Sequence, residues 1–294
     1  MSHQIKPEII FPPFPFAKRV ARGLLVSVLS FNLVILPTIA HAQAVQDTSQ
    51  SGTIPSMETA PNGVPVINIA TPSGQGVSHN RFKSFDIETQ GMIFNNSKNL
   101  GTSQLGGVLL ANPNLKNSAT AKIILNEVTG NGPSQLKGFA EVFGDRAQFV
   151  IANPNGITCK GCGFINTSRT TLTTGTPVMN NGALSQIDVD GGAPITIDGD
   201  GLNAEDATAL HLLARTINLN APINAQELKL VAGRNLLDYG ADVVTSKTDD
   251  GSTKPSLAID ASHFGAMYAN QISILATEDG VGVKMPDNMA SGLG

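Results

Sequence analysis

Residues able to do chemistry are few in this chain, and their spacing decides what each can do. The only two cysteines form Cys159-Lys160-Gly161-Cys162. A dithiol redox centre of that spacing needs a βαβ setting, which the flanking sequence lacks. A zinc site needs two more ligands, and His79, His211 and His263 are scattered. The reading that remains is a structural disulfide, Cys159 to Cys162, suited to an oxidising compartment. An acidic cluster comprises Asp188, Asp190, Asp198, Asp200, Glu205 and Asp206. Calcium needs six to eight converging oxygens, and the ordered glycine-aspartate nonapeptide of calcium-binding β-helices is missing. Aspartates beside glycines are the ordinary composition of solvated turns. Asp145-Arg146, after Gly144, reads as a turn with a local ion pair. No serine nucleophile elbow, phosphate-binding loop or dinucleotide fingerprint occurs. The expectation is a chain without catalytic residues, metal or cofactor.

Two tetrads remain: Asn112-Pro113-Asn114-Leu115, and Asn153-Pro154-Asn155-Gly156 followed by Ile157. Proline fixes φ at the second position of a turn, and asparagine and glycine tolerate positive φ after it. Either tetrad alone reads as a surface turn. Two of them, about forty residues apart in a strand-rich chain, form a pattern.

The elements that must position these turns are strands. Charged residues make up 14% of the chain and there is no tryptophan, whereas an average domain is about 25% charged. Short apolar runs bounded by Gly, Asn or Pro recur at residues 121–128, 138–143 and 147–152, which marks buried strands rather than helices. Three strand signals crowd one stretch: Thr216 to Leu219, Pro222 to Asn224, and Glu227 to Val231. That density fits one rung of a parallel β-helix. Ala225 to Ala232 is echoed by Ala269 to Ala276, 44 residues later. A β-sandwich also has many short strands, but hairpin turns read as sparse and the echo has no place there.

The N-terminus reads as a targeting segment. Lys18, Arg19 and Arg22 precede an apolar run from Gly23 to Ala40, and Ala40-His41-Ala42 is a small-x-small cleavage pattern. Cleavage between Ala42 and Gln43 is expected, with residues 1–42 as signal peptide. Removing them leaves 15 basic and 22 acidic residues, a net charge of -7. That balance argues against a nucleic-acid partner, which wants a basic face. Residues 43–62 read as a polar, flexible leader, 63–283 as the β-helical domain, and 284–294 as the open-ended start of a further shaft or a truncated tail.

The tetrads, with Gly76 to Asn80, Phe94 to Ser97, Gly163 to Thr167, Thr171 to Gly175 and Leu230 to Gly233, resemble the N-terminal secretion domain of two-partner secretion exoproteins. These are the filamentous-haemagglutinin, haemolysin and contact-dependent-inhibition type. The resemblance covers about Gly63 to Val283. It implies an all-β fold: a right-handed parallel β-helix with an N-terminal cap and small extra-helical β elements. It implies delivery by the Sec machinery to the periplasm. There the polypeptide-transport-associated domains of a cognate outer-membrane β-barrel transporter would recognise the domain and export it to the medium or cell surface. Residues Asn112, Pro113, Asn114, Leu115, Asn153, Pro154, Asn155, Gly156 and Ile157 are the secretion motif by that resemblance. Contact with a host or neighbouring cell would belong to a downstream region. Two other classes compete with this reading, a β-helical carbohydrate-active enzyme and a direct surface adhesin. The enzyme would need converging carboxylates paired with Arg169, Arg215 or Arg234.

Overall fold

The computed structural model describes residues 44–49, 53–191, 193–261 and 266–292. The expected signal peptide and its cleavage site at Ala42 and Gln43 lie outside the described residues, as does His263. Among the described residues no helix is long and apolar enough to cross a membrane.

The chain winds as a parallel β-helix whose rungs present three faces. One rung shows the logic. Ile217–Leu219 forms the first face, and the next strand, Ile223–Ala232, bends to supply the second and third. This is the rung marked by the three crowded strand signals. Side chains alternate in and out along each face, and the inward ones stack in register. Ile157, Ile195, Ile217 and Ile259 form one such column on the first face. On the third face Leu172, Leu212, Leu230 and Ile274 form another. Branched aliphatics suit this stacking because each fills the space above its neighbour without leaving a void.

Rung length explains the 44-residue echo. Leu202 pairs with Ile223, 21 residues on, whereas Leu228 pairs with Ile272, 44 residues on. The echoing segments are therefore neighbours on one face, and the longer step is a rung carrying an inserted excursion. Such excursions form the extra-helical elements. One holds a hairpin, Gly101–Ser103 with Gly107–Leu109, and a turn of 3-10 helix, Pro113–Leu115. Two others supply Thr176–Asn180 and Ala183–Val189, and Asn235–Asp238 and Val243–Ser246. These four strands join as an antiparallel sheet. It covers the outside of the third face, where Leu184, Ile187 and Leu237 pack with Leu125, Val150 and Leu213. Hairpins are thus commoner than the sequence suggests, but they lie outside the coil.

The interior changes character along its length. Phe82, Phe85, Phe94, Phe149 and Phe164 form a continuous row, with successive ring centroids 4.7 to 6.1 Å apart. Each such pair adds about 0.5–1.5 kcal/mol beyond its buried area. Later rungs are filled by aliphatic residues instead.

Strands pair at both edges of the domain. Within 43–62, expected as a flexible leader, Ala44–Gln46 pairs antiparallel with Val77–Phe85, and Ser56–Thr59 with Pro65–Asn68. These strands cover the open edge of the first rung, and backbone pairing rather than an apolar pattern holds them. Asp47 fastens the first of them. Its carboxylate accepts from Ser49 and Thr129 and pairs with Lys83 at 3.0 Å. Those hydrogen bonds, from Ser49 foremost, hold its pKa far below the usual carboxylate range. At the other end Gly282–Lys284 and Asn288–Ser291 pair parallel with Leu257–Asp260 and Ala266–Ala269. Residues 284–294, expected as the open-ended start of a further shaft or a truncated tail, thus begin within the paired strand Gly282–Lys284.

The two asparagine-proline-asparagine turns as candidate functional site

The two tetrads are built alike. In each, the first asparagine is buried, the proline is exposed and the second asparagine is half-buried. The first asparagine closes the turn with its own side chain. Asn112 Oδ1 accepts from Asn114 N at 2.8 Å, and Asn153 Oδ1 accepts from Asn155 N at 2.9 Å. The same side chain also donates outward. Asn112 Nδ2 donates to Ile69 O at 3.0 Å and Asn95 O at 2.8 Å. Asn153 Nδ2 donates to Gly132 O and Ser134 Oγ, both at 3.0 Å. The second asparagine ties the turn to a neighbouring segment in the same way. Asn114 Nδ2 reaches Ile69 O at 3.1 Å, and Asn155 Nδ2 reaches Gly130 O at 2.8 Å. Only an amide side chain offers one acceptor and two donors together. Aspartate would lack the donors, and serine the reach.

The fourth positions differ because the chain leaves the turns differently. Leu115 ends the short helix fully buried. Gly156 sits at φ +111°, a conformation L side chains rarely adopt, and an added Cβ would meet Ala193 Cβ at 3.0 Å. Ile157 then enters the first face at the head of the isoleucine column. Asn153 N donates to Thr173 O at 2.9 Å, and Ile157 N to Pro194 O at 3.3 Å. The second tetrad therefore gathers chain segments near 130, 173 and 194 at one corner, and the first gathers those near 69 and 95.

Cys159 and Cys162 follow the second tetrad and are joined by a disulfide, Cα to Cα 5.4 Å. Gly161 turns the corner between them at φ +81°. Cys159 stacks in register with Leu136 and Ile197 on the first face, and Cys162 with Leu202 on the second. Both are buried, so the bond braces the corner from within the core.

The other candidates do not converge. Asp188 and Asp190 are taken by Lys247, at 2.6 and 2.9 Å, and Asp190 also by Arg234 at 2.6 Å. Hydrogen bonds from Lys247 and then Arg234 hold the Asp190 carboxyl below its ordinary value. Asp198 pairs with Lys160 at 3.5 Å. Asp206 accepts from the backbone of Asn166. Arg215 pairs with Glu278 at 2.6 Å, and Arg169 lies over the Tyr239 ring, 4.2 Å from its centroid. Asp145 and Arg146 face different partners, Thr120 Oγ1 and the carbonyls of Thr167 and Asp206. His79 pairs with Glu127 and His211 lies 3.7 Å from Asp242. Among the described residues no group of three His, Cys, Asp or Glu side chains could hold a metal ion. The charges paired above thus serve local structural contacts, and the pocket beside Arg234 is lined by carboxylates and cations together, Asp249, Glu278 and Asp279 with Lys247 and Lys254, with Glu278 engaged by Arg215 and Asp249 by Lys254.

Comparison with known proteins agrees with this geometry. The family model of the TPS secretion domain matches residues 42–292. The chain is 43% identical over 272 residues to the "16S rRNA endonuclease CdiA" of Enterobacter cloacae, a match covering 92% of this chain and 8% of that protein. It is 44% identical over 262 residues to the "Toxin CdiA" of Yersinia pestis, covering 87% of this chain and 8% of that protein. The chain therefore spans less than a tenth of the length of these relatives. Among solved structures, the crystal structure of the filamentous hemagglutinin secretion domain matches with a TM-score of 0.74 and 36% identity, covering 82% of this chain and 84% of the other. A β-helix with these two turns, matched over nearly its whole described length, belongs to the TPS secretion domain family, the secretion-targeting modules of CdiA- and filamentous-hemagglutinin-like exoproteins.

Proposed function

We propose that this domain is the address by which the polypeptide-transport-associated domains of a cognate outer-membrane β-barrel select the chain in the periplasm and export it. The Sec machinery delivers it there through residues 1–42, with cleavage after Ala42. The exported domain then folds outside the cell as the β-helix described above. The observation that carries this reading is the shared construction of the two tetrads inside a TPS secretion fold. Asn112 to Leu115 and Asn153 to Ile157 act chiefly by building corners, since their asparagines face inward and only their prolines are exposed. The domain itself performs no catalysis. The nuclease and toxin activities named for the CdiA relatives belong to those much longer proteins, and contact with other cells falls to regions beyond this one.

The test is co-expression with the cognate transporter in a Gram-negative host. The wild-type chain is expected in the medium or on the cell surface only when the transporter is present. Asn153→Ile is expected to stop it. Equal release without the transporter would sink the reading.

A further inference from the structure

Four Asn-Gly pairs occur in the chain, at Asn62-Gly63, Asn131-Gly132, Asn155-Gly156 and Asn181-Gly182. In such a pair the glycine nitrogen can attack the asparagine side-chain carbon, because no Cβ on the glycine shields it. The attack needs a free side chain, a free N–H and a backbone that can turn one toward the other. Three of the pairs lack these. Asn62 Nδ2 donates to Leu105 O at 2.6 Å, its Oδ1 accepts from Val64 N, and Gly63 N donates to Ala60 O. Asn155 Nδ2 donates to Gly130 O and Asn153 Oδ1, and Gly156 N donates to Asn153 O at 3.1 Å. Asn181 and Gly182 are held left-handed in a hairpin, at φ +48° and +79°. There ψ is positive, which points the Gly182 nitrogen away from the Asn181 side chain.

Asn131-Gly132 differs. Both residues are exposed. Among the described residues nothing bonds the Asn131 side chain, the Asn131 carbonyl or the Gly132 N–H. The carbonyls on either side, in contrast, are held by the second tetrad. Gly130 O accepts from Asn155 Nδ2 at 2.8 Å, and Gly132 O from Asn153 Nδ2 at 3.0 Å. Gly130 is wedged so tightly that an added Cβ would be 2.0 Å from Lys83 O. The peptide between Asn131 and Gly132 can therefore rotate as a plane while its flanks stay in place. It does so by opposed changes in ψ of Asn131 and φ of Gly132, a freedom that glycine has. We infer that Asn131 is a self-modification site, at which the folded domain converts its own asparagine to aspartate and isoaspartate, consuming only water. Gly132 N gives its proton to hydroxide and bonds to Asn131 Cγ, and Nδ2 leaves as ammonia with a proton from water. Water then opens the ring. Opening at Cγ gives aspartate. Opening at the main-chain carbonyl gives isoaspartate, whose backbone carries one more methylene. Between two held carbonyls that extra length has nowhere to go, so one of the tetrad's bonds must open. Ageing of the domain is thereby coupled to the Asn153 corner.

The experiment incubates the purified, folded chain in mildly alkaline buffer and follows each Asn-Gly peptide by mass spectrometry. Isoaspartate is told from aspartate by its resistance to an aspartate-specific protease. Asn131 is expected to convert at least about tenfold faster than Asn62, Asn155 or Asn181, each of which must first leave its hydrogen bonds or its hairpin. In strong urea the four should convert at similar rates. Gly132→Ala meets open space at a backbone without positive φ, so its melting should match wild type. Conversion at Asn131 should nevertheless slow about tenfold in that variant, because the added Cβ restrains the rotation and shields the nitrogen. The separated isoaspartyl form should unfold at lower urea than Asn131→Asp, which carries the same charge on an unlengthened chain. Conversion in the folded chain no faster at Asn131 than at the other three would overturn the inference. Selectivity that persists in urea, or conversion unchanged in Gly132→Ala, would overturn it as well. Equal urea midpoints for the isoaspartyl form and Asn131→Asp would overturn the coupling to the Asn153 corner.

Discussion

Asn153→Ala separates a turn that builds a corner from a turn that is itself a contact. The wild-type side chain is fully buried and makes four hydrogen bonds, donating to Gly132 O and Ser134 Oγ and accepting from Asn155 N and Asn155 Nδ2. Alanine removes all four. The exposed Gly132 carbonyl can turn to water, but the buried Ser134 hydroxyl loses its donor and the half-buried Asn155 amide its acceptor. Each buried group so orphaned costs about 1–3 kcal/mol, so the substitution should cost about 4 kcal/mol. Domains are stable by about 5–15 kcal/mol, so this is a large share of the total. With a urea dependence of about 3 kcal/mol per molar, the unfolding midpoint should fall by about 1.3 M. Pro154→Ala is the counterpart. Its ring is exposed, and its carbonyl, which accepts from Ala193 N at 3.2 Å, is kept. It should cost only about 0.5–1 kcal/mol, through the unfolded chain. Urea titrations of both variants, with their release into the medium, make the comparison. A midpoint shift under about 0.3 M for Asn153→Ala would refute the hydrogen-bond reasoning. Loss of export in a fully stable Pro154→Ala would show the turn to be a contact surface.

Three further outcomes are expected. Burial pushes the His211 imidazole down to about 4, with Asp242 opposing and Arg169 and Lys229 adding to the shift. The unfolded chain takes up that proton near 6.5 and the folded chain does not until about 4. Stability present at neutral pH is therefore lost as the pH falls through that window, on the order of 2 kcal/mol between about pH 7 and 5. Urea midpoints across that range should fall in wild type and stay flatter in His211→Gln. Gly156→Ala, forced to φ +111° against Ala193, should destabilise by about 1–3 kcal/mol, and a melting point unchanged from wild type would contradict it. Replacing both Cys159 and Cys162 by alanine opens a very short loop, so the loss should be only about 2 kcal/mol, checked by comparing its urea midpoint with that of the oxidised wild type.

The coil is legible in the sequence where strand and corner signals alternate densely. Ile217 to Val231 reads as a rung because its apolar residues alternate and Asn220, Pro222 and Asn224 punctuate them. The cap strands leave no such mark, because Ser56–Thr59 is mostly exposed and polar, held by pairing with Pro65–Asn68. The outer sheet has a local clue in Asn181-Gly182, both at positive φ, the usual signal of a two-residue hairpin. Its second hairpin has no such signal, and its pairing with the first joins Ile187 to Leu237 across fifty residues. The acidic residues from Asp198 to Asp206 have the composition of a loop. They lie on the long strand Ile195–Ala214, where glycines at positive φ bend it and a register shift lets Glu205 and Asp206 bulge outward. Glu141 has no signal at all, since nothing in its flanking residues foretells a buried carboxylate serving a hairpin about forty residues earlier.

The outer sheet has a consequence for how the coil melts. A plain solenoid is a row of couplings between neighbours, and such a row frays inward from its ends. Here Ser73, beside the first strand of the third face, donates to Gly182 O at 2.6 Å. The sheet then runs through Ala183–Val189 to Asn235–Asp238, and Lys229 holds Asp242 at 2.7 Å. Layers far apart in the stack are thereby tied to one plate. Fraying of the first layer must break the plate's grip on the later ones, so the row behaves as a single cooperative block. Native-state hydrogen exchange should then give amides in Val77–Phe85 and Ile223–Ala232 a common opening free energy, where a row without the plate would show a gradient.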